Sequence, residues 1–152
     1  MNQIDPHKEK YRSTYQKMAI EISKLSVSRK RQVGCVVVTV TGVIGIGVNG
    51  MPPGFDNDCE TFLGGDETLK SSWKTKPEVV HAERNALDKL SREGVKPAGS
   101  IVFVTTAPCI ECAKSLAAVG IKHVFYEDAY KNEDGIAFLE HADVEVTPFS
   151  NN

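Results

Sequence analysis

The chain has 152 residues, 41% of them apolar, with 18 Lys and Arg against 20 Asp and Glu for a net charge of −2. That length fits one domain able to bury about 70% of its unfolded surface, and the ordinary apolar content excludes an intrinsically disordered chain. The small net charge argues against an electrostatic binder of nucleic acid or membrane, and no apolar run approaches the ~20 residues that span a bilayer. Met1 to Pro6 carries neither the basic nor the apolar region of a secretory signal. One domain over residues 1–152 and a cytoplasmic location are therefore expected. In that reducing compartment Cys35, Cys59, Cys109 and Cys112 read as core, metal or catalytic residues rather than as disulfides.

Asp5-Pro6 reads as an N-cap and first-turn pair. Tyr11, Tyr15, Met18, Ala19, Ile22 and Leu25 follow at helical spacing as one apolar stripe, closed by the basic run Arg29-Lys30-Arg31. Val33 to Val40 and Val43 to Val48, rich in β-branched residues and joined at Thr41-Gly42, form an antiparallel hairpin. From Asn49 to Val79 the periodicity disappears among Pro52-Pro53-Gly54, Asp56-Asn57-Asp58 and Gly64-Gly65. A loop of about thirty residues in a small domain is expected to bind something. His81 to Glu93 is helical, with Glu83, Ala86, Leu87 and Leu90 on one face and Gly94 as its stop. Ser100 to Thr105 is a strand, and Cys109 to Val119 a helix with Ile110, Ala113 and Ala117 inward and Gly120 at its end. Lys122 to Tyr126 is a strand, Asp134 to Ala142 a short helix, and Val144 to Thr147 a last strand. Strand–helix alternation implies right-handed crossovers, hence an α/β fold with a five-stranded mixed sheet covered by helices.

Two segments carry chemistry: His81-Ala82-Glu83 and Pro108-Cys109-Ile110-Glu111-Cys112. Each opens a helix. Cys109 and Cys112, three apart, set their sulfurs on one side of a turn, where the helix N-terminus favours thiolates. One imidazole and two thiolates suit Zn²⁺, and three protein ligands leave a corner for water, as catalytic sites do. His7, His123 and His141 fit better as solvated or core side chains. Residues two apart diverge by ~200° on a regular helix, so His81 and Glu83 meet only if His81 caps the helix. Glu83 shares the face of Ala86, Leu87 and Leu90, which leaves its carboxylate half-buried and placed to take a proton from the water. Cys-x-x-Cys and His-x-Glu are each weak alone. Together, in this order at two helix starts, they form the pattern of zinc nucleobase deaminases, in which the Glu is the general acid and base. Two rival readings stand beside it: a structural zinc module, which needs a fourth ligand, and a deaminase of another substrate, either tRNA adenosine, which needs a basic face, or free cytidine or guanine, which turnover of dCMP against deoxycytidine would separate. Cys35, inside an apolar strand, reads as core.

From the first helix to Phe149 the sequence resembles the deoxycytidylate (dCMP) deaminases of the cytidine deaminase superfamily. The resemblance lies in Gln32-Val33-Gly34-Cys35, Gly45-Ile46-Gly47-Val48-Asn49-Gly50-Met51-Pro52, His81-Ala82-Glu83-Arg84-Asn85-Ala86, Pro108-Cys109-Ile110-Glu111-Cys112-Ala113-Lys114 and Gly120-Ile121-Lys122. It implies a three-layer cytidine-deaminase-like fold with helices on both faces, and hydrolysis of dCMP to dUMP and ammonia, feeding thymidylate synthesis. It further implies Zn²⁺ on His81, Cys109 and Cys112, Glu83 as the catalytic residue, and a homohexamer activated by dCTP and inhibited by dTTP at a Mg²⁺-assisted site. Substrate contacts are implied at Asn49, Ala82, Thr106, Pro108 and Tyr130. Effector contacts are implied at Arg29, Lys30, Asn49, Gly50, Phe55, Asp56 and Arg92. Some members hold a second zinc in the long loop; Cys59 alone stands there, so one zinc per subunit is expected. Arg29, Lys30, Arg31 or Tyr130 would meet the 5′-phosphate, unless the basic run is only a solvated surface.

Overall fold

The computed structural model describes Asp5 and residues 8–149; Pro6 and His7, with the readings made for them, lie outside the described residues. The elements run α1 (Glu9–Ser23), β1 (Gly34–Val38), β2 (Ile44–Val48), β3 (Glu60–Phe62), β4 (Trp73–Thr75) and α2 (Ala82–Arg92). They continue through β5 (Ile101–Thr106), α3 (Ile110–Ala118), β6 (His123–Asp128), α4 (Asp134–His141) and β7 (Glu145–Pro148). Five strands form one mixed sheet in the order β2-β1-β5-β6-β7. β1 pairs antiparallel with both β2 and β5, whereas β5, β6 and β7 run parallel across the α3 and α4 crossovers.

β1 and β5 are buried along their whole lengths, as strands covered on both faces must be. Their side chains alternate between two cores. On one face Val36, Val38, Phe103 and Phe125 pack against Tyr15 and Ala19 of α1, with the Phe103 and Phe125 rings stacked at 5.0 Å. On the other, Cys35, Val37, Val102, Val104 and Val124 meet Ala86 and Leu90 of α2, Ala113 and Leu116 of α3, and Leu139 of α4. This is the three-layer arrangement expected from the sequence. Cys35 is fully buried in it, and burial pushes its thiol well up.

Two glycines set where the helices begin. A Cβ on Gly47 of β2 would fall on the Ala82 carbonyl oxygen, and one on Gly135 of α4 would fall on the Pro108 carbonyl oxygen. The starts of α2 and α3, which carry the chemistry, are therefore each seated against a backbone without a side chain. Gly135→Ala is expected to destabilise the fold by about 1–3 kcal/mol through overpacking and to weaken zinc retention by shifting Pro108-Cys109. Thermal unfolding together with metal content checks this.

The structure changes four sequence expectations. The N-cap of α1 is Lys8, not Asp5, whose carbonyl instead accepts the Lys8 N–H at 3.1 Å in a turn ahead of the helix. Leu25 keeps the helical phase, but α1 ends at Ser23 and Leu25 is 69% exposed. The inner face of α3 is Cys112, Ala113 and Leu116, while Ile110 in the first turn is exposed. The stretch after Asn49 is not structureless: β3 and β4 pair antiparallel, and the Phe62 and Trp73 rings lie 5.0 Å apart. Among the described residues no helix is long and apolar enough to cross a membrane.

Candidate active site

His81 and Cys109 are the N-caps of α2 and α3, both with extended rather than helical backbone (φ −69°, ψ 156° and φ −69°, ψ 168°). That extended residue removes the ~200° divergence of a regular helix, so the His81 ring and the Glu83 carboxyl serve one site. The Cys109 sulfur accepts the Cys112 N–H at 3.5 Å, which fixes the first turn of α3. His81 Nδ1 lies 3.3 Å from Cys112 Sγ and 3.5 Å from Cys109 Sγ, and all three ligand atoms lie within 4.8 Å of one another. Tetrahedral zinc, at about 2.0–2.1 Å from nitrogen and 2.3 Å from sulfur, sets neighbouring N and S ligands about 3.5 Å apart. The donor set and its spacing fit Zn²⁺.

The electrostatics agree with a site that gives up protons to a cation. Hydrogen bonding from Cys112, then from His81, holds the Cys109 thiol down to about 3. The Cys112 thiol is pushed far up, first by sharing a proton with Cys109 and then by burial. The His81 ring is pushed up by its hydrogen bond to Cys109. A metal replaces the shared protons. Glu83, only 5% exposed, is buried more deeply than the sequence implied, and desolvation pushes its carboxyl up to about 7.

That shift links stability to pH. Between 4.5 and about 7 the folded chain binds more protons at Glu83 than the unfolded chain, so stability falls as pH rises through this window and is level above it. In zinc-stripped protein Glu83→Gln is expected to remove the loss, a gain of about 3 kcal/mol at pH 8 and much less at pH 5. Urea unfolding of both proteins at the two pH values measures it.

A cavity of 330 Å³ opens over Glu83. It is lined by His81, Ala82, Glu83, Thr106, Ala107 and Cys109 around the cluster, and by Ser28, Lys30, Arg31, Val33, Asn49, Thr75, Val79, Tyr130 and Lys131. Pro108 does not line it; it is fully buried, with Gly135 of α4 against its carbonyl. Asn49 is also part of the framework: its Oδ1 accepts the Val33 N–H at 2.8 Å and its Nδ2 donates to the Arg31 carbonyl at 2.7 Å. Arg29 is directed elsewhere, to Asp58 at 2.7 Å and over the Trp73 ring at 4.3 Å.

Of the residues implied for an effector, Arg29 and Asp56 share a partner in Asp58, whose carboxylate accepts the Arg29 guanidinium and whose N–H donates to the Asp56 carboxylate. Lys30 and Asn49 line the same cavity as Glu83, Gly50 bridges to Val80, Phe55 is exposed, and Asp56 faces Lys76 at 3.8 Å. Arg92 ends α2, about 17 Å along the helix from His81. His123 is a core side chain, 4% exposed, with Nε2 2.8 Å from Thr147 Oγ1, and His141 is exposed. Not evident from the sequence were Ser28, Thr75, Val79 and Lys131 in the cavity wall and the buried Glu60 bonded to Ser28. None of them sits in a periodic segment or a motif.

A ring nitrogen and two sulfurs at two helix starts, with a buried carboxyl between them at the base of a cavity, define a zinc-deaminase type of centre on an α/β sheet. Residues 9–128 match the model of the cytidine and deoxycytidylate deaminase zinc-binding region, and the chain belongs to this family. It is 36% identical over 135 residues to the deoxycytidylate deaminase of Schizosaccharomyces pombe, covering 86% of this chain and 41% of that one. With the Homo sapiens deoxycytidylate deaminase it shares 38% over 120 residues, covering 74% and 65%. The chain thus spans less than two thirds of these relatives. The structure of the dCMP deaminase from cyanophage S-TIM5 in complex with dCMP and dUMP superposes with a TM-score of 0.82 at 37% identity, covering 93% of this chain and 98% of that one.

Proposed function

We propose that this protein is a zinc-dependent hydrolase that converts dCMP and water to dUMP and ammonia. The observation that carries the reading is the buried Glu83 carboxyl beside the His81–Cys109–Cys112 cluster, in a cavity whose rim also bears Lys30 and Arg31. Zn²⁺ on those three ligands supplies Lewis-acid activation of water at neutral pH. Glu83 accepts the first proton of the attacking water and delivers it to N3 of the cytosine ring, which makes C4 electrophilic. As the C4–O bond forms and the C4–N bond breaks, Glu83 carries the second proton to the 4-amino group, which leaves as ammonia. N3 keeps its proton and C4 its oxygen, giving the uracil ring. Asn49, Ala82, Thr106 and Tyr130 shape the wall around the nucleoside, and Lys30 and Arg31 meet the 5′-phosphate. Arg29 is spoken for by Asp58.

The test is turnover of dCMP against deoxycytidine by zinc-loaded protein, followed by loss of the cytosine absorbance and by released ammonia. The expected result is dCMP deamination with kcat/KM exceeding that for deoxycytidine by at least ~10²-fold, because a site built for a phosphate leaves its cations unpaired without one. No turnover of either substrate overturns the reading. The family resemblance adds a homohexamer, activation by dCTP and inhibition by dTTP with Mg²⁺. The same assay with each effector, and sedimentation, test these.

A further inference from the structure

Glu60 and Glu83 are the two buried acidic residues among those described, at 1% and 5% exposure. A buried carboxylate is costly unless its oxygens are matched, and Glu83 has chemistry to justify it. All the partners recorded for the Glu60 carboxylate lie in one short segment. Its Oε1 accepts the Ser28 hydroxyl at 3.0 Å and the Arg29 backbone N–H at 2.7 Å, and its Oε2 lies 3.2 Å from the same N–H and 3.9 Å from the Arg29 guanidinium. The next two residues are Lys30 and Arg31, at the cavity rim. Asn49 holds the far end of the same segment through the Arg31 carbonyl and the Val33 N–H. The two cations therefore sit on a loop gripped at both ends from the stretch 49–60. Ordering two long side chains on binding costs affinity, and a loop fixed beforehand spares part of that cost.

We infer that Glu60 is a positioning residue for recognition of the nucleotide's phosphate, acting through Ser28 and the Arg29 backbone to hold Lys30 and Arg31 at the rim. The inference rests on the reading above that these two residues meet the phosphate. Gln at this position keeps the shape but removes the charge. With its amide oxygen in the Oε1 place it still accepts from Ser28 and the Arg29 N–H while its N–H₂ opposes the Arg29 donors, and the flipped amide loses the Arg29 N–H, so the grip weakens in both orientations.

The experiment compares zinc-loaded wild type, Glu60→Gln and Ser28→Ala by calorimetric binding of dUMP and of deoxyuridine, and by amide hydrogen exchange over residues 28–33. The expected result for Glu60→Gln is a loss of dUMP affinity on the order of tenfold, as for one charge-assisted contact. Deoxyuridine affinity and zinc content stay unchanged, and exchange in the segment speeds up. Ser28 itself lines the cavity. Ser28→Ala moves in the same direction by less, and if Glu60→Gln does not fold it carries the test through its faster exchange in the segment, which loss of a direct contact would not cause. Equal losses for dUMP and deoxyuridine, or unchanged dUMP affinity, overturn the inference. A wild type that binds dUMP no better than deoxyuridine overturns it together with the phosphate assignment. A wild type that prefers dUMP yet does not deaminate dCMP overturns the deaminase reading alone.

Discussion

Zinc-loaded Glu83→Gln is expected to lose dCMP turnover by at least about 10⁴-fold, the upper end of what general acid–base catalysis contributes. Glutamine matches the shape of the side chain in its buried place at the start of α2. It cannot accept and release a proton, and two protons pass through this one carboxyl in each cycle of the proposed reaction. Zinc content is expected to stay at one per chain, since the cluster consists of His81, Cys109 and Cys112 without Glu83. Binding of dUMP is expected to persist. Steady-state turnover with metal analysis on the same sample checks all three points, and activity within tenfold of wild type would remove Glu83 from the chemistry.

The second large effect is on the metal. Cys109→Ala and Cys112→Ala are each expected to bring zinc occupancy to near zero after dialysis and to lower thermal stability. Cys109 caps α3 and Cys112 is buried within it, so both variants leave the start of that helix without its anchor. A ligand present at a thousand times its dissociation constant stabilises the native state by about 4 kcal/mol, and that contribution disappears with the site. Wild type should therefore melt at a lower temperature in a chelator and recover with zinc, whereas neither cysteine variant should respond to either. A variant that keeps stoichiometric zinc would show that its sulfur is not a ligand.

The elements that follow a strong local rule were legible in the sequence. β-branched runs around Thr41-Gly42 gave the hairpin β1–β2, and Gly94 and Gly120 marked where α2 and α3 stop. The cluster was legible because metal ligands impose short fixed spacings, and a capping histidine is the one geometry that reconciles His81 with Glu83. What stayed hidden depends on tertiary contact. β3 and β4 are three residues each, too short for a period of two to register, and they are held by the Phe62–Trp73 pair. Ile110 and Leu116 are both strongly apolar, and only the packing of α3 in the core shared by the sheet, α2 and α4 shows that Leu116 turns inward. Glu60 looks like any acid in a polar loop, since nothing local tells of the distant segment 28–29 that covers it.

His81 begins α2 without a capping hydrogen bond from its side chain. Serine or aspartate there would accept a first-turn backbone N–H and gain roughly 1 kcal/mol of helix stability. With zinc bound, that gain is outweighed by the roughly 4 kcal/mol that the metal contributes through the same residue, so selection for heat tolerance would keep His81 where zinc is supplied and drift toward serine or aspartate where it is scarce. Screens for improved variants therefore have to be run with zinc in the medium, because only in its absence do robustness and chemistry pull in opposite directions at this position.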